Sequence, residues 1–121
     1  MWELDDVEAF AKSLHPAVTA DLFAEDWVSF RIAGKWFLVF DLTVVEPRIA
    51  VKLDPEYALD LRDRHPGIRP AWHMNKRHWS NVYLQEVDPE LVKALVVASF
   101  EIVVAKLTKK QKEALVASLS A

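Results

Sequence analysis

The chain contains no cysteine and only two glycines among its 121 residues. The first absence excludes a disulfide scaffold, a thiolate metal site and a cysteine nucleophile. The second argues against a phosphate-cradling loop, which needs several residues free of a Cβ. No stretch of about 20 uncharged apolar residues, the length of a membrane span, is present. The most apolar segment, Leu91 to Leu107, is interrupted by Lys93, Glu101 and Lys106. The N-terminus, Met1-Trp2-Glu3-Leu4-Asp5-Asp6, is acidic where a secretory signal is basic. The expectation is a cytoplasmic protein with no membrane contact. A strong charge of one sign is also lacking: the formal net charge is −3, which argues against coating a nucleic acid by bulk charge.

What is present describes one globular domain over residues 1–121. Apolar residues make up 52% and charged residues 27% of the chain, and a chain of this size buries roughly two-thirds of its unfolded surface. The charge is unevenly placed. Residues 1–26 carry a net −6, whereas residues 62–78 carry +4 and three of the four histidines. A basic segment on a neutral or acidic body is able to hold a polyanion locally, although an ordinary solvated loop has the same composition.

Apolar spacing predicts a first helix from about Asp6 to Leu14, with Val7, Phe10, Ala11 and Leu14 on one stripe, Asp5 as its cap and Glu8 at the capping-box distance. Residues 17–26 lack a period and read as a connector. Val28, Phe30 and Ile32 alternate with Trp27, Ser29 and Arg31 as a half-buried strand, and Ala33-Gly34 turns into Lys35–Asp41, apolar on both faces. Arg48, Ala50 and Lys52 alternate with Ile49, Val51 and Leu53, a strand with one wet face. Asp54-Pro55-Glu56 and Asp88-Pro89-Glu90 are two copies of one helix-start device. The first opens a helix to about Arg64; the second opens one to about Lys106. Residues 68–73 are expected to be extended, and Trp79 to Gln85 to form a strand. Of the 17 residues from Leu91 to Leu107, 13 are apolar, so the third helix should be covered on two sides or join a self-association surface. Thr108 with Gln111 caps a fourth helix. The order α-β-β-β-α-β-β-α-α predicts a two-layer α+β domain, an antiparallel sheet with helices mostly on one face.

Residues 69–84 read Arg-Pro-Ala-Trp-His-Met-Asn-Lys-Arg-His-Trp-Ser-Asn-Val-Tyr-Leu. This resembles the signature of the MmcQ/YjbR (DUF419) family, in which Arg-Pro leads to His-x-Asn-Lys-x-His-Trp and then a Val-Tyr-Leu strand. The matching residues are Arg69, Pro70, His73, Asn75, Lys76, His78, Trp79, Val82, Tyr83 and Leu84. Gly34-Lys35-Trp36-Phe37 is similar to that family's Gly-Lys-x-Phe hairpin. The resemblance implies an α+β fold related to CyaY-like and secretion-chaperone-like sheets. It also implies the DNA-binding label attached to the family's double-wing shape. Trp72 departs from the pattern, standing where many relatives have a polar or basic side chain.

Several chemistries compete for this stretch. As a DNA contact, Lys76, Arg77 and Arg69 would meet phosphates, Asn75 and His73 would hydrogen-bond, and Trp79 would fix the turn to the sheet, with His78 beside it. Arg62 and Arg64 would extend the basic strip. As a metal site, His65, His73 and His78 lack a recognised ligand spacing and have Lys76 and Arg77 between them. As a catalytic site, the cluster comes with no triad order, glycine loop or paired carboxylates, so no enzyme activity and no cofactor is expected. The acids Glu3, Asp5, Asp6 and Glu8 suit a helix N-terminus on electrostatic grounds alone; at fold level they are similar to the acidic first helix of CyaY-like iron binders. The main rival is a protein–protein or chaperone-like adaptor, using the apolar third helix and the aromatics Trp2, Trp27, Trp36 and Trp72.

Overall fold

The acidic start of the chain is used locally. In the computed structural model, which describes residues 1–119, helix α1 spans Leu4–Ser13. Its cap is Glu3, not Asp5: the Asp6 carboxylate accepts the Glu3 N–H at 2.9 Å. The helix therefore begins two residues earlier than its apolar stripe suggested. Trp2 packs edge-on against Phe10 at 5.6 Å, and this contact fixes the entry of the chain.

Residues 17–26 hold a strand that apolar periodicity does not reveal. Strand β1 (Thr19–Phe23) pairs with β2 (Trp27–Ile32) over its whole length, yet its residues are mostly exposed. An edge strand with little to bury has no reason to alternate. Ala24 and Glu25, both at positive φ, make the turn between the two. Ala33 and Gly34 (φ 51° and 77°) make the next turn, as a two-residue hairpin requires. It leads into β3 (Lys35–Asp41), which is central, with Phe37 to Phe40 all buried. A register shift sets Phe30 opposite Leu38 but Arg31 opposite Trp36. Phe37 is thereby the extra residue of a bulge, and both Phe37 and Leu38 enter the core.

Strand β4 (Arg48–Lys52) follows, then α2 (Pro55–Arg64), whose first turn is capped by Asp54 Oδ1 on the Glu56 N–H at 2.9 Å. The extended segment is shorter than expected: β5 covers only Ile68–Pro70, and residues 71–78 turn. Strand β6 (Trp79–Tyr83) lies between β4 and β5, giving the sheet order β1-β2-β3-β4-β6-β5 with every neighbour antiparallel. Helix α3 (Pro89–Ala105) and helix α4 (Lys109–Leu119) complete the chain. Both arms of the Thr108–Gln111 box form, at 3.0 and 3.1 Å.

The two-layer α+β class is as expected, with one more strand in front of α2. Side chains from α1, α2 and α3 share a single core with Phe30, Leu38, Ile49, Val51 and Val82, so these helices lie on the same face of the sheet. The sheet and α1 take up most of α3's apolar surface. Phe100 meets Phe37 edge-on at 5.2 Å, and Leu91, Ala98 and Val104 pack against the core. Covering on more than one side accounts for its composition. Among the described residues no helix is long and apolar enough to cross a membrane.

Candidate nucleic-acid interface

The turn 71–78 is held from both ends. The Ala71 N–H donates to the Trp79 carbonyl at 3.2 Å, and the Asn75 carbonyl accepts from His78 and Trp79 at 3.1 and 2.8 Å. Asn75 Oδ1 takes the Arg77 N–H at 3.0 Å, a side-chain-closed turn of the kind Asn favours. From below, Arg62 of α2 braces the same segment. Its Nη2 donates to the carbonyls of Lys76 (2.6 Å) and Trp79 (3.0 Å) and to Ser80 Oγ (2.8 Å), and its Nε donates to Ser80 Oγ at 3.2 Å. Burial pushes this guanidinium below its ordinary pKa, though an arginine in this setting stays charged.

Arg62 is thus a strut of the turn. The other arginines expected in a basic strip are also engaged. Arg64 pairs with Asp60 at 2.6 Å. Arg69 grips both oxygens of Glu86 at 2.9 and 3.1 Å, donates Nε–H to the Pro66 carbonyl at 2.9 Å, and lies 4.1 Å from the centre of the Tyr83 ring. Two cations of the segment remain uncommitted to an oxygen. Lys76 Nζ sits 4.2 Å from the ring centre of Trp72, and Arg77 is exposed with no side-chain partner among the described residues. Trp72 itself is 68% exposed, so the departure from the family pattern places an open indole beside a lysine.

The face of the sheet opposite the helices carries the rest. Directly paired residues share a face, which puts Trp79, Asn81 and Tyr83 beside Lys52, Ala50 and Arg48. Ala50 was expected to be wet, but the turn folds over it. Ala71 and Met74 line a narrow crevice with Val39, Ala50 and Asn81. His73 and Met74 also wall an apolar groove of about 260 Å³ with Phe23, Trp27, Trp36 and Val39. Phe23 and Trp36 lie 4.9 Å apart, centre to centre, and Arg31 covers Trp36 at 5.7 Å. His78 turns elsewhere, into a cleft with Leu53, Asp54 and Pro55. His65, His73 and His78 therefore do not converge, and no trio of histidine and carboxylate ligands is assembled among the described residues. On α1, Asp6 accepts the N–H of the capping residue Glu3 and Glu8 pairs with Lys12 at 3.0 Å.

The segment 69–79 is thus one unit, but His73, Lys76 with Arg77, and His78 point to different surroundings. The aromatic groove was out of reach of sequence reasoning, because Phe23 lies in the strand that periodicity missed. The alternation of Trp27, Ser29 and Arg31 opposite the core residues was its one legible sign.

The chain has counterparts in sequence and fold. A family model described as YjbR matches residues 13–102. YbdF of Escherichia coli O157:H7 is 34% identical over 92 residues, covering 75% of this chain and 75% of its own. YjbR of Escherichia coli K12 is 36% identical over 94 residues, covering 75% and 80%. Both are named as uncharacterised proteins. The Deinococcus radiodurans protein DR2400, with family-model domain DUF419, superposes with a TM-score of 0.86 at 30% identity, covering 95% of this chain and 88% of its own. A Pseudomonas syringae protein shares the fold, with a TM-score of 0.72 at 24% identity and coverage of 84% and 98%.

Proposed function

We propose that this chain, which belongs to the YjbR family, is a nucleic-acid-binding module that grips DNA with the turn 71–78 and the aromatic groove beside it. The observation that carries this is the pairing of Lys76 and Arg77, exposed and free of carboxylates among the described residues, with an open indole at Trp72. Lys76 and Arg77 meet successive phosphates, releasing counterions. Trp72 offers a flat face to a base, and the groove of Phe23, Trp27 and Trp36 a second. Arg62 keeps the turn rigid, so little order has to be gained on binding. Arg69, expected to contact phosphate, is instead assigned to holding β5 through Glu86. Stacking surfaces of this kind favour a single strand, whose bases are free to turn outward.

The test is fluorescence anisotropy of labelled single-stranded and duplex DNA at about 50 and 200 mM salt. Single strands should bind more tightly than duplex, less so at the higher salt. The double variant Lys76→Glu with Arg77→Glu should lose binding without a change in thermal unfolding. Absence of binding at the lower salt, or binding that survives the double variant, overturns the proposal.

A further inference from the structure

Three lysines outside that turn converge without an acidic partner. Lys35 opens β3, Lys52 ends β4 directly across from Trp79, and Lys106 follows the last turn of α3. With Trp36, Trp79 and Val103 they line a cleft of about 340 Å³, within the roughly 300–1,000 Å³ that small-molecule sites occupy. None of the three ammonium groups makes an ion pair among the described residues.

The cleft exists because the ladder between β3 and β4 stops early. Leu38 pairs with Val51 and Val39 with Ala50. One step further the two strands no longer bond to each other. Ser99 of α3 stands between them, its hydroxyl donating to the Phe37 carbonyl at 2.5 Å and accepting the Lys52 N–H at 2.8 Å. A hydroxyl used as a spacer separates Lys35 and Trp36 from Lys52 and opens the gap down to α3. An adjoining cleft of about 220 Å³ shares Lys52 and Lys106 and adds His78. The carboxylate there, Asp54, is already turned to the first turn of α2.

Holding these charges together has a cost. Burial, and then the charges of Lys106 and Lys35, push the Lys52 ammonium below its ordinary pKa; a dianion in the cleft would relieve that repulsion. We propose that the cleft binds a phosphomonoester whose sugar carries a planar base, that is, a nucleotide, with Lys35, Lys52 and Lys106 on the phosphate and the indoles of Trp36 and Trp79 against the base. Lysines suit a phosphate as mobile point charges. Indoles accept any base, since each has a flat face. Inorganic phosphate would use the lysines alone and a nucleoside the indoles alone, so both bind more weakly. The phosphomonoester comes either from a free mononucleotide or from the 5′ end of a strand. The cleft shares Trp36 with the aromatic groove but uses none of Lys76, Arg77 and Trp72, so it stands if the turn proves not to bind DNA.

The probe is adenosine 5′-monophosphate, titrated to about 5 mM by calorimetry and tryptophan fluorescence. The mononucleotide should bind saturably, with adenosine and inorganic phosphate roughly tenfold or more weaker. Lys52→Gln with Lys106→Gln should weaken it by roughly tenfold or more. That variant keeps the Ser99 bond, which uses the Lys52 main chain, so thermal unfolding should confirm a folded protein. Lys76→Glu with Arg77→Glu should leave mononucleotide binding unchanged. No saturable binding, equal binding of phosphate alone, or binding indifferent to the lysine pair overturns the proposal. Comparing 5′-phosphorylated with 5′-hydroxyl oligonucleotides then identifies the source. An advantage of the phosphorylated end that disappears in the Lys52/Lys106 variant assigns the site to strand ends; mononucleotide binding without that advantage assigns it to free nucleotides. Absence of oligonucleotide binding by the parent protein, with mononucleotide binding intact, faults the turn and leaves the cleft in place.

Discussion

Arg62 separates a strut from a phosphate contact, and the distinction is measurable. Replacing it with alanine removes four hydrogen bonds that tie α2 to residues 76–80. Bonds to a charged donor contribute about 1.5–3 kcal/mol each when buried, but these are not additive. One guanidinium makes all four, the Lys76 carbonyl is exposed to water, and the Trp79 carbonyl keeps its bond from Ala71. What remains unsatisfied is chiefly the buried Ser80 hydroxyl. The net loss is then about 2–3 kcal/mol. For a chain of this length, where 1 kcal/mol moves Tm by about 3–5 °C, Tm should fall by roughly 6–15 °C. Urea unfolding followed by tryptophan fluorescence measures the loss directly. Arg62→Lys should recover less than half of it, because the lysine nitrogen stops one bond short of Nη2 and the Nε–H bond to Ser80 is lost. Lys76→Glu with Arg77→Glu should stay within about 0.5 kcal/mol of the parent, as exposed substitutions do. If Arg62→Ala unfolds with the parent while the surface pair is destabilised, the roles assigned here are reversed.

Ser99→Ala should destabilise by about 2–4 kcal/mol, because it strands the Phe37 carbonyl and the Lys52 N–H in the interior; a urea midpoint equal to the parent's would show that the strands close on each other. Gly67→Ala would put a Cβ 2.7 Å from Glu86 Cβ and 2.8 Å from Val87 Cγ2, an overpacking that costs about 1–3 kcal/mol. An unchanged midpoint would mean that the 86–87 turn yields freely. The Asp41 carboxylate is held below its ordinary pKa of 3.8, first by the Thr43 hydroxyl and N–H and then by Arg48. A depressed folded-state value makes its contribution complete above the unfolded value and lost as pH falls through the folded one. The stability gap between the parent and Asp41→Asn should therefore close as pH drops from about 5 through that range, and a gap that stays constant in urea titrations would refute the assignment.

The elements with strong local chemistry were legible in the sequence. Asp54-Pro55 and Asp88-Pro89 cap their helices as their spacing indicates, and Ala33-Gly34 turns where it should. Strand β1 was not legible, since its partner β2 supplies the pairing and its own side chains bury little. Asp5 has the residue type and spacing of a cap for a helix starting at Asp6, but the helix starts earlier and Asp6 reaches back to the Glu3 N–H instead. The open-face groove and the lysine cleft were invisible for a further reason. Phe23, Trp27 and Trp36 meet only through strand pairing, and Lys35, Lys52 and Lys106 are separated by tens of residues until the sheet and α3 bring them together.

Charge shows most clearly why a local count misleads. Residues 62–78 carry five cations against one acid, the composition of a basic patch. Folding then engages Arg62 with main-chain carbonyls, Arg64 with Asp60 and Arg69 with Glu86, leaving Lys76 and Arg77. Counterion release makes the difference testable. With a slope of about −0.7 per neutralised phosphate on a single strand, five contacts would weaken binding roughly 130-fold between 50 and 200 mM salt. Two contacts would weaken it only about sevenfold. A loss near the smaller figure is the expected result. A loss near the larger would mean that Arg62, Arg64 and Arg69 all leave their partners in the free protein to meet DNA.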